Sequence, residues 1–335
     1  MAHVRRSAAI AAGLIFLLAA SVAAADERRI ATLAPEGSLW MKQLRKGASK
    51  VKDATDGRVE TMYYAGGVQG DEKDVVRKMG LGHLDGAALT SIGLGMIEPS
   101  IRVLQLPGFY NNVDEVDYVR KKMWPYFEKK FRKKGYELLA PGDVGWIYLF
   151  STTRIDSKKK FERTKIWMWD GDPMSKKLFD ELGLRGVSLG VPEVLPALNT
   201  GKVEAVFGSP LAAVSLQWHN KIKYMSSVPV GYGIGGMVMR TEVWNKASKQ
   251  DKKAQRKIGR KLMKKTISLV RKDNRRALKA MKRYGVRVVT TPPELEKELT
   301  AQSEKLWEQW VGDLYSQKEL DMVLEYRKEF RDKHP

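Results

Sequence analysis

The sequence predicts an α/β protein of two lobes with mixed, mainly parallel sheets, and three observations support this. Short β-forming runs alternate with segments whose apolar residues recur at helical spacing, which is typical of βαβ units. The chain has 335 residues, enough for two hydrophobic cores. Two of the β runs connect one set of units to the other. Connections that are strands rather than loose linkers predict a hinge between the lobes.

The first lobe starts with the β run RIATL. The next segment places Trp40, Leu44 and Val51 on one helical face behind a Ser38 cap. The strand RVETMYY follows, then a glycine loop leading into the helix DEKDVVRKM, and then the short strand GHLDGAAL. We assign residues 26–145 and about 231–260 to this lobe.

The second lobe contains the β runs TKIWMW, RGVSLG and KVEAVF, separated by helices that begin at Pro173 and Pro192. The long run ELLAPGDVGWIYLF enters this lobe, and the glycine-rich run YGIGGMVMR leaves it. A long basic helix is predicted over about 248–284, followed by the strand VRVVT and helices from Pro293 and near Ser316. We assign residues 146–230 and about 285–335 to the second lobe.

The N-terminus predicts export. Arg5 and Arg6 precede an apolar stretch from Ala8 to Val22, and the small residues that follow fit a signal peptidase site before Asp26. As a helix this stretch spans only about 22 Å, short of the roughly 30 Å hydrocarbon core of a bilayer. A cleaved signal peptide over residues 1–25 is therefore favoured over a retained anchor, and the mature protein is expected to be periplasmic.

The residue counts limit the chemistry. With no cysteine, the chain has no disulfide, no thiolate nucleophile and no Cys-based metal site. His83, His219 and His334 are far apart in sequence, so none has a companion at metal-ligand spacing. We expect no catalytic residue, no metal and no cofactor.

The charge is strongly positive, with a formal net charge of +21. Half of the 60 Lys and Arg residues fall in three segments, 120–134, 157–165 and 246–283, where helix-forming apolar residues interrupt them. This interleaving is typical of solvated helix faces rather than of a nucleic-acid-binding stripe. We expect no nucleic acid partner. A basic interaction protein at an anionic membrane or partner surface remains an alternative function.

The stretch KIWMWDGDP is the strongest candidate for a site. In a strand, Trp167 and Trp169 point to the same side, and Asp172 and Pro173 then predict the start of a helix. Ligands of open α/β sheets bind beyond the carboxyl ends of the strands. The two indoles therefore either line a ligand cleft or belong to a core, and both interpretations stay open here.

Two motif matches point to other chemistry. The segment GYGIGG at 231–236 fits the dinucleotide-binding pattern, but a strand-like run follows it where that site requires a helix. Asp170 and Asp172 resemble an acid pair for metal-assisted hydrolysis, although Asp172 is already explained as a helix cap. The hydrolase remains a minor alternative.

Taken together, the segments resemble one family. IATLAPEGSLW, RVETMYYAGGVQGDE, LGHLDGAALTS, TKIWMWDGDP, VPEVLPALNTGKVEAVFGSPLAA and KYMSSVPVGYGIGGMVM are similar to the substrate-binding proteins of tripartite ATP-independent periplasmic (TRAP) transporters, the DctP family. The resemblance implies a two-domain periplasmic binding protein of type II-like fold with hinge strands and a long helix spanning both lobes. It also implies a non-enzymatic monomer that delivers a small organic solute to membrane permease subunits.

The departures from the family concern the ligand. Relatives carry a carboxylate-binding arginine where this chain has Trp167, and many carry another where Ile147 stands. An asparagine of the family corresponds to the region of Ser209. Arginine binds carboxylate through two charge-assisted hydrogen bonds, whereas indole has one N–H and no charge. We therefore predict that C4-dicarboxylates and sialic acid are not ligands.

The predicted ligand contacts come from both lobes. An apolar or stacking wall for an aromatic, lipid-like or sugar-like solute is expected from Trp167, Trp169, Trp218 and Tyr148 of the second lobe and from Tyr232 of the returning strand. With Asp170 nearby, a cationic head over the indole faces is an alternative. Ser209 and Pro210 are further candidate contacts of the second lobe. In the first lobe, the matching family segments indicate Pro35, Glu36, Ser38, Trp40, Gln69, Glu72, Thr90 and Ser91. Arg102, Arg154 and Arg240 remain candidates to reach an anion.

Overall fold

The computed structural model describes residues 26–291 and 293–334. The predicted signal peptide, residues 1–25, lies outside the described residues. The described strands are β1 (Asp26–Thr32), β2 (Val59–Tyr64), β3 (Gly86–Thr90), β4 (Tyr136–Ser151), β5 (Lys165–Trp169), β6 (Arg185–Leu189), β7 (Ala205–Gly208), β8 (Tyr224–Ser226), β9 (Gly231–Arg240) and β10 (Arg287–Val289).

Helices alternate with these strands. The α-helices are α1 (Leu39–Ala54), α2 (Glu72–Gly80), α3 (Ser91–Ile97), α4 (Val113–Lys133), α5 (Lys158–Arg163), α6 (Pro173–Glu181), α7 (Val191–Thr200), α8 (Pro210–Ser215), α9 (Thr241–Lys246), α10 (Lys249–Arg283), α11 (Pro293–Gln309) and α12 (Gln317–Lys333). Two 3₁₀-helices span Pro99–Gln105 and Trp218–Asn220.

The strands pair in the order β2-β1-β3-β9-β4-β7-β5-β6, with β8 pairing β4 and β10. β1 is parallel to β2 and β3, and β5 is parallel to β6 and β7. β9 is antiparallel to both β3 and β4. We call β1–β3, β9 and their helices the first lobe, and β5–β8, β10 and their helices the second lobe. The predicted α/β fold of two lobes is confirmed.

β4 connects the lobes. Its residues 136–147 pair with β9, and residues 148–151 pair with β7 of the second lobe. The ladder with β9 shifts register between Asp143 and Gly145, where Gly145 has φ +110°. A Cβ at Gly145 would lie 2.6 Å from Asn274 Nδ2 of α10. Glycine is thus required where the crossing strand bends.

A buried ionic network fixes the bend. The Asp143 carboxylate accepts hydrogen bonds from Arg271 of α10 at 2.8 Å and from the Tyr232 hydroxyl of β9 at 2.5 Å, and it also pairs with Arg120 of α4. Burial raises the pKa of Tyr232, and the adjacent Asp143 carboxylate raises it further. Tyr232 therefore remains a neutral donor. Asp143 of β4 therefore bonds to α4, β9 and α10.

The C-terminal helices differ from the predicted domain assignment. α12 packs on α4, and Trp307, Trp310 and Leu320 belong to the same core cluster as Phe127 of α4. The assignment of residues 293–333 to the second lobe was therefore wrong, because the apolar faces of α11 and α12 complete the first lobe's core. β10, by contrast, does pair with β8 of the second lobe.

The long basic helix is observed as α10. Ser248 caps it by accepting from Asp251 N at 3.0 Å. α10 packs against α1 of the first lobe, α8 of the second lobe, and the crossing strand β4. One helix therefore supports both lobes and the hinge, as the family resemblance implied.

Candidate ligand-binding cleft

A cavity of about 460 Å³ lies between the lobes. It is bounded by the segments after β1, β3 and β5, by the hinge strands β4 and β9, and by the inner face of α10. Its walls include Leu44, Leu89, Ile92, Val144, Ile147, Phe161, Met174, Leu178, Phe179, Phe207, Leu262 and Met263. The lining is therefore mainly apolar, and the volume lies within the ~300–1,000 Å³ typical of small-ligand sites.

Three tryptophans form one wall of the cavity. Trp167 is 5% exposed, and its ring centroid lies 5.4 Å from Trp169 and 5.3 Å from Trp218. The Trp167 indole donates to Leu189 O at 2.9 Å. Because this N–H is already bonded, Trp167 offers a ligand aromatic surface rather than a polar group. The same residue thus belongs to the second lobe's core and to the cavity wall.

Glu72 forms the polar end of the cavity. Its buried carboxylate accepts from Thr90 N at 2.6 Å, Thr90 Oγ1 at 2.7 Å and Gly93 N at 2.6 Å. Burial raises the pKa of Glu72 to about 7, although these three hydrogen bonds favour the charged form. Ser91 beside it donates to Gln105. This end can therefore hydrogen-bond to a solute without adding a full charge near neutral pH.

Arg102 reaches the cavity but is paired. Its guanidinium forms a bidentate ion pair with Asp172 at 2.5 and 3.2 Å, and both side chains are buried. Burial alone raises the pKa of Asp172, but the guanidinium outweighs this effect and holds the pKa below its usual value. Asp172 also caps α6 by accepting from Met174 N and Ser175 N. The cation is therefore neutralised by an acid of the opposite lobe.

The other two candidate arginines do not line the cavity. Arg154 pairs with Asp156 at 2.9 Å, and Arg240 pairs with Glu242 at 2.5 Å. Among the described lining residues, Arg102 is the only Lys or Arg.

Asp71 makes a second contact across the cleft. It accepts from the Trp169 indole at 2.6 Å and from Val191 N of α7 at 3.4 Å. Burial raises the pKa of Asp71, and the Trp169 hydrogen bond acts in the opposite direction. Lys73 and Asp170 form a more exposed pair at 3.3 Å nearby. The two lobes are thus in direct polar contact at the cleft.

Nine of the predicted contact residues meet at the cavity. They share a position at the facing edges of the two lobes and are Pro35, Trp40, Glu72, Thr90, Ser91, Trp167, Trp169, Ser209 and Trp218. Ser209 also caps α8, accepting from Ala212 N at 3.2 Å. Trp40 donates to Asp143 O of the hinge at 3.1 Å, so the first helix is joined to the bend in β4.

The predicted first-lobe residues Glu36, Ser38 and Gln69 do not line the cavity. Glu36 is held at the surface by Arg45, with a contact of 2.6 Å. Ser38 caps α1 by accepting from Met41 N. Gln69 accepts from Lys78 Nζ at 2.9 Å. Each side chain is thus bonded within its own lobe.

Four further predicted residues also lie outside the lining. They are Asp170, Tyr148 and Pro210 of the second lobe and Tyr232 of β9. Asp170 accepts from Ser188 at 2.9 Å near the surface. Pro210 is the first residue of α8. Tyr148 packs against the second lobe's core, and the Tyr232 hydroxyl is bonded to Asp143. A stacking role for the two tyrosines is therefore not supported by their positions.

Sequence reasoning placed Asp71 and Arg102 outside the list of contacts. Asp71 occupies the N-cap position of α2, yet its side chain makes no capping hydrogen bond to that helix. Arg102 lies in the apolar run IRVLQLP, and a lone charge in such a run signals a buried ion pair. Its partner Asp172 lies 70 residues further along the chain, so no local sequence pattern indicates this pair.

The alternative chemistries find little support. In the described part of the chain, no group of His, Cys, Asp and Glu side chains is arranged to hold a metal ion. The Asp172 carboxylate is bonded to Arg102 and to the start of α6. The G-x-G-x-x-G segment begins strand β9 rather than a helix. Within the described residues, no helix combines the length and apolarity needed to span a bilayer.

Comparisons with known proteins agree with this architecture. A solute-binding protein from Chromohalobacter salexigens is 26% identical over 206 residues, 61% of this chain and 61% of that protein. The matched part therefore spans less than two thirds of that relative.

Solved structures share the fold. An extracytoplasmic solute receptor from Bordetella pertussis binding pyroglutamic acid is 18% identical with a TM-score of 0.83, covering 90% of this chain and 99% of that chain. A TRAP periplasmic solute-binding protein from Desulfovibrio salexigens with bound orotic acid is 17% identical with a TM-score of 0.83, covering 91% and 99%. The sugar acid-binding protein of Advenella mimigardefordensis in complex with galactonate is 16% identical with a TM-score of 0.83, covering 90% and 98%.

The family model described as bacterial extracellular solute-binding protein, family 7, matches residues 30–313. This range includes both lobes, the crossing strands and α10. The chain therefore belongs to family 7 of the bacterial extracellular solute-binding proteins, the DctP family.

Proposed function

We propose that this protein is the solute receptor of a TRAP-type transporter. It is exported to the periplasm, binds one small organic solute between its lobes, and presents the solute to membrane permease subunits without catalysing a reaction. The observation that carries the proposal is the 460 Å³ cavity lined by side chains of both lobes. A ligand held there contacts both lobes at once, so its binding favours their closure.

We further propose that the solute carries no carboxylate. Solved relatives are described with bound orotic acid, galactonate and pyroglutamic acid. The family resemblance puts Trp167 at the position of a carboxylate-binding arginine, and Arg102 is already paired with Asp172. A carboxylate entering the described lining would lose its hydration without gaining a free cation, which costs several kcal/mol. A solute with an uncharged polar end and a flat or apolar body fits better.

The cationic alternative is disfavoured by the same geometry. It relied on Asp170 lying beside the indoles, but Asp170 is outside the lining and bonded to Ser188 and Lys73. Glu72, whose pKa burial raises to about 7, is only partly charged at neutral pH. The polar end at Glu72, Ser91 and Gln105 is suited to hydroxyl, amide or carbonyl groups.

Thermal-shift titration tests the receptor function. The library should contain matched pairs, each an organic acid with its amide or alcohol. A bound solute at about 100 times its Kd stabilises the protein by about 2.7 kcal/mol, a readily measured shift. We expect saturable shifts only from uncharged compounds, with affinity reduced about tenfold or more in Trp167→Phe and unchanged in Trp244→Phe, a buried tryptophan outside the cleft. A library without any saturable ligand would overturn the receptor proposal; micromolar binding of an acid would overturn the ligand class alone.

A further inference from the structure

The exposed side of α10 carries a continuous row of positive charge. From Lys253 to Lys282, exposed positions recur every three or four residues, and each of them except Ser268 is Lys or Arg. The row therefore follows one face of the helix over about 44 Å at 1.5 Å per residue. The basic segment 246–283 thus forms a solvated helix face, as predicted, and the fold places most of its cations on the single helix α10.

The acidic side chains of α10 neutralise only one member of the row, Arg276. Asp251 is buried and pairs with Arg58 of the first lobe at 2.9 Å. Asp273 is half-buried and pairs with Arg276 at 3.1 Å. Row members such as Lys257, Lys264 and Lys272 are exposed and are in no ion pair with a described residue. Their charges thus remain available to an anionic partner.

Exposed apolar side chains lie at the C-terminal end of the row. Tyr284, the C-cap residue that follows α10, is 76% exposed, and Val288 of β10 is 42% exposed. Arg283 and Arg287, also exposed, are their neighbours in sequence. A tyrosine and an aliphatic residue among arginines match the chemistry of the membrane interface, where rings sit at headgroup level and cations meet phosphates.

We propose that this basic row, with Tyr284 and Val288 at its end, docks the protein onto an anionic phospholipid surface. A long row of flexible cations suits a planar array of headgroup phosphates, because anionic lipids attract Lys and Arg side chains close to the surface. Nucleic acid fits less well because no aromatic side chains are interleaved along the row for base stacking. A protein partner fits less well because the row lacks the apolar centre typical of protein interfaces.

The row and the cavity are on opposite faces of α10. Leu262, Met263 and Thr266 point into the cavity, whereas the row follows Lys261, Lys264 and Ser268 on the other side. Docking therefore leaves the cavity lining unchanged, and this proposal does not rest on the identity of the solute.

Vesicle co-sedimentation tests the proposal with the protein lacking residues 1–25. Vesicles of phosphatidylcholine with about 30 mol% phosphatidylglycerol are compared with pure phosphatidylcholine. We expect binding to the anionic vesicles only, weakened as salt is raised toward about 0.5 M. The triple variant Lys257→Glu, Lys264→Glu, Lys272→Glu should bind about 100-fold more weakly.

A matched control separates the row from net charge. Lys121→Glu, Lys129→Glu and Lys133→Glu make the same change of charge at exposed positions of α4. We expect this variant to keep vesicle binding within about threefold of the wild type. Tyr284→Ala should lower the binding that survives high salt. Equal losses in both triple variants, or no binding to anionic vesicles, would overturn the proposal. Binding only to vesicles that contain the permease would assign the row to a protein partner and would also overturn it.

Discussion

Trp169 of the second lobe donates its indole hydrogen to the Asp71 carboxylate of the first lobe at 2.6 Å. Trp169 also lines the cavity, and its ring lies 5.4 Å from Trp167. One side chain therefore both contacts the ligand space and holds the lobes together. Removal of the indole N–H should weaken closure without removing the aromatic wall.

Trp169→Phe tests this link. A hydrogen bond to a charged group contributes about 1.5–3 kcal/mol. The ratio of closed to open molecules should therefore fall roughly tenfold or more. Small-angle X-ray scattering of the ligand-free protein should report a larger radius of gyration for Trp169→Phe than for the wild type. Trp244→Phe, a change in a buried ring away from the cleft, should leave the radius unchanged. Identical scattering from all three proteins would contradict the link.

The Arg102–Asp172 pair gives a second prediction. Arg102→Met leaves a buried carboxylate without its cation, which costs about 3–5 kcal/mol in the free energy of unfolding and raises the pKa of Asp172 toward or above its ordinary value. The double variant Arg102→Met, Asp172→Asn should recover part of this loss because the uncompensated charge is gone. Urea denaturation of the wild type, both single variants and the double variant measures the coupling. Additive losses would show that the two residues do not interact.

Glu72 predicts a pH dependence of stability. Burial raises its folded-state pKa to about 7, above the ordinary 4.5 of the unfolded chain. The folded state therefore holds the proton more tightly, so this contribution is fully present below pH 4.5 and is lost as pH rises through 7. The change amounts to on the order of 3 kcal/mol.

Glu72→Gln removes this titration. The difference in free energy of unfolding between the wild type and Glu72→Gln should vary between about pH 4.5 and 8, in the direction that favours the wild type at low pH. Denaturation at several pH values measures it. Glu319, whose pKa the Lys130 and Ser316 hydrogen bonds lower to about 2 against the effect of burial, provides the opposite case and should matter only under strongly acidic conditions. A pH-independent difference for Glu72→Gln would refute the assigned protonation.

The local structure was largely predictable because it rests on local chemistry. Strand and helix periodicities located the crossing strands β4 and β9, and the Asp-Pro sequence predicted that Asp172 caps α6, as observed. The sequence did not indicate which lobe each C-terminal helix packs against. An amphipathic helix such as α12 must bury its apolar face, but that face does not specify which lobe receives it.

The candidate site shows the same limit. Trp167 and Trp169 were identified because alternation along a strand places them together, and both line the cavity. Tyr148 and Tyr232 were chosen for their ring chemistry alone, and neither lines it. Asp71 and Arg102 act through partners 98 and 70 residues away, contacts that only the folded chain defines.

The hinge gives a prediction with an internal control. Gly145 has φ +110°, and a Cβ there would lie 2.6 Å from Asn274 Nδ2, so Gly145→Ala should destabilise the protein by about 2 kcal/mol or more. Gly259 in α10 has free space around a Cβ, so Gly259→Ala should stabilise it by about 0.5–1 kcal/mol. Thermal denaturation measures both. Equal shifts of the same sign would contradict the role of Gly145.

The identity of the molecule that co-purifies with the protein shows whether the bound solute lacks a carboxylate. Native mass spectrometry gives the mass of the one-to-one complex, and fragmentation of the released compound shows whether it contains a carboxylate. We predict an uncharged, largely apolar or aromatic compound whose occupancy falls in Trp167→Phe. A stoichiometric organic acid, such as a uronate or a dicarboxylate, would contradict it.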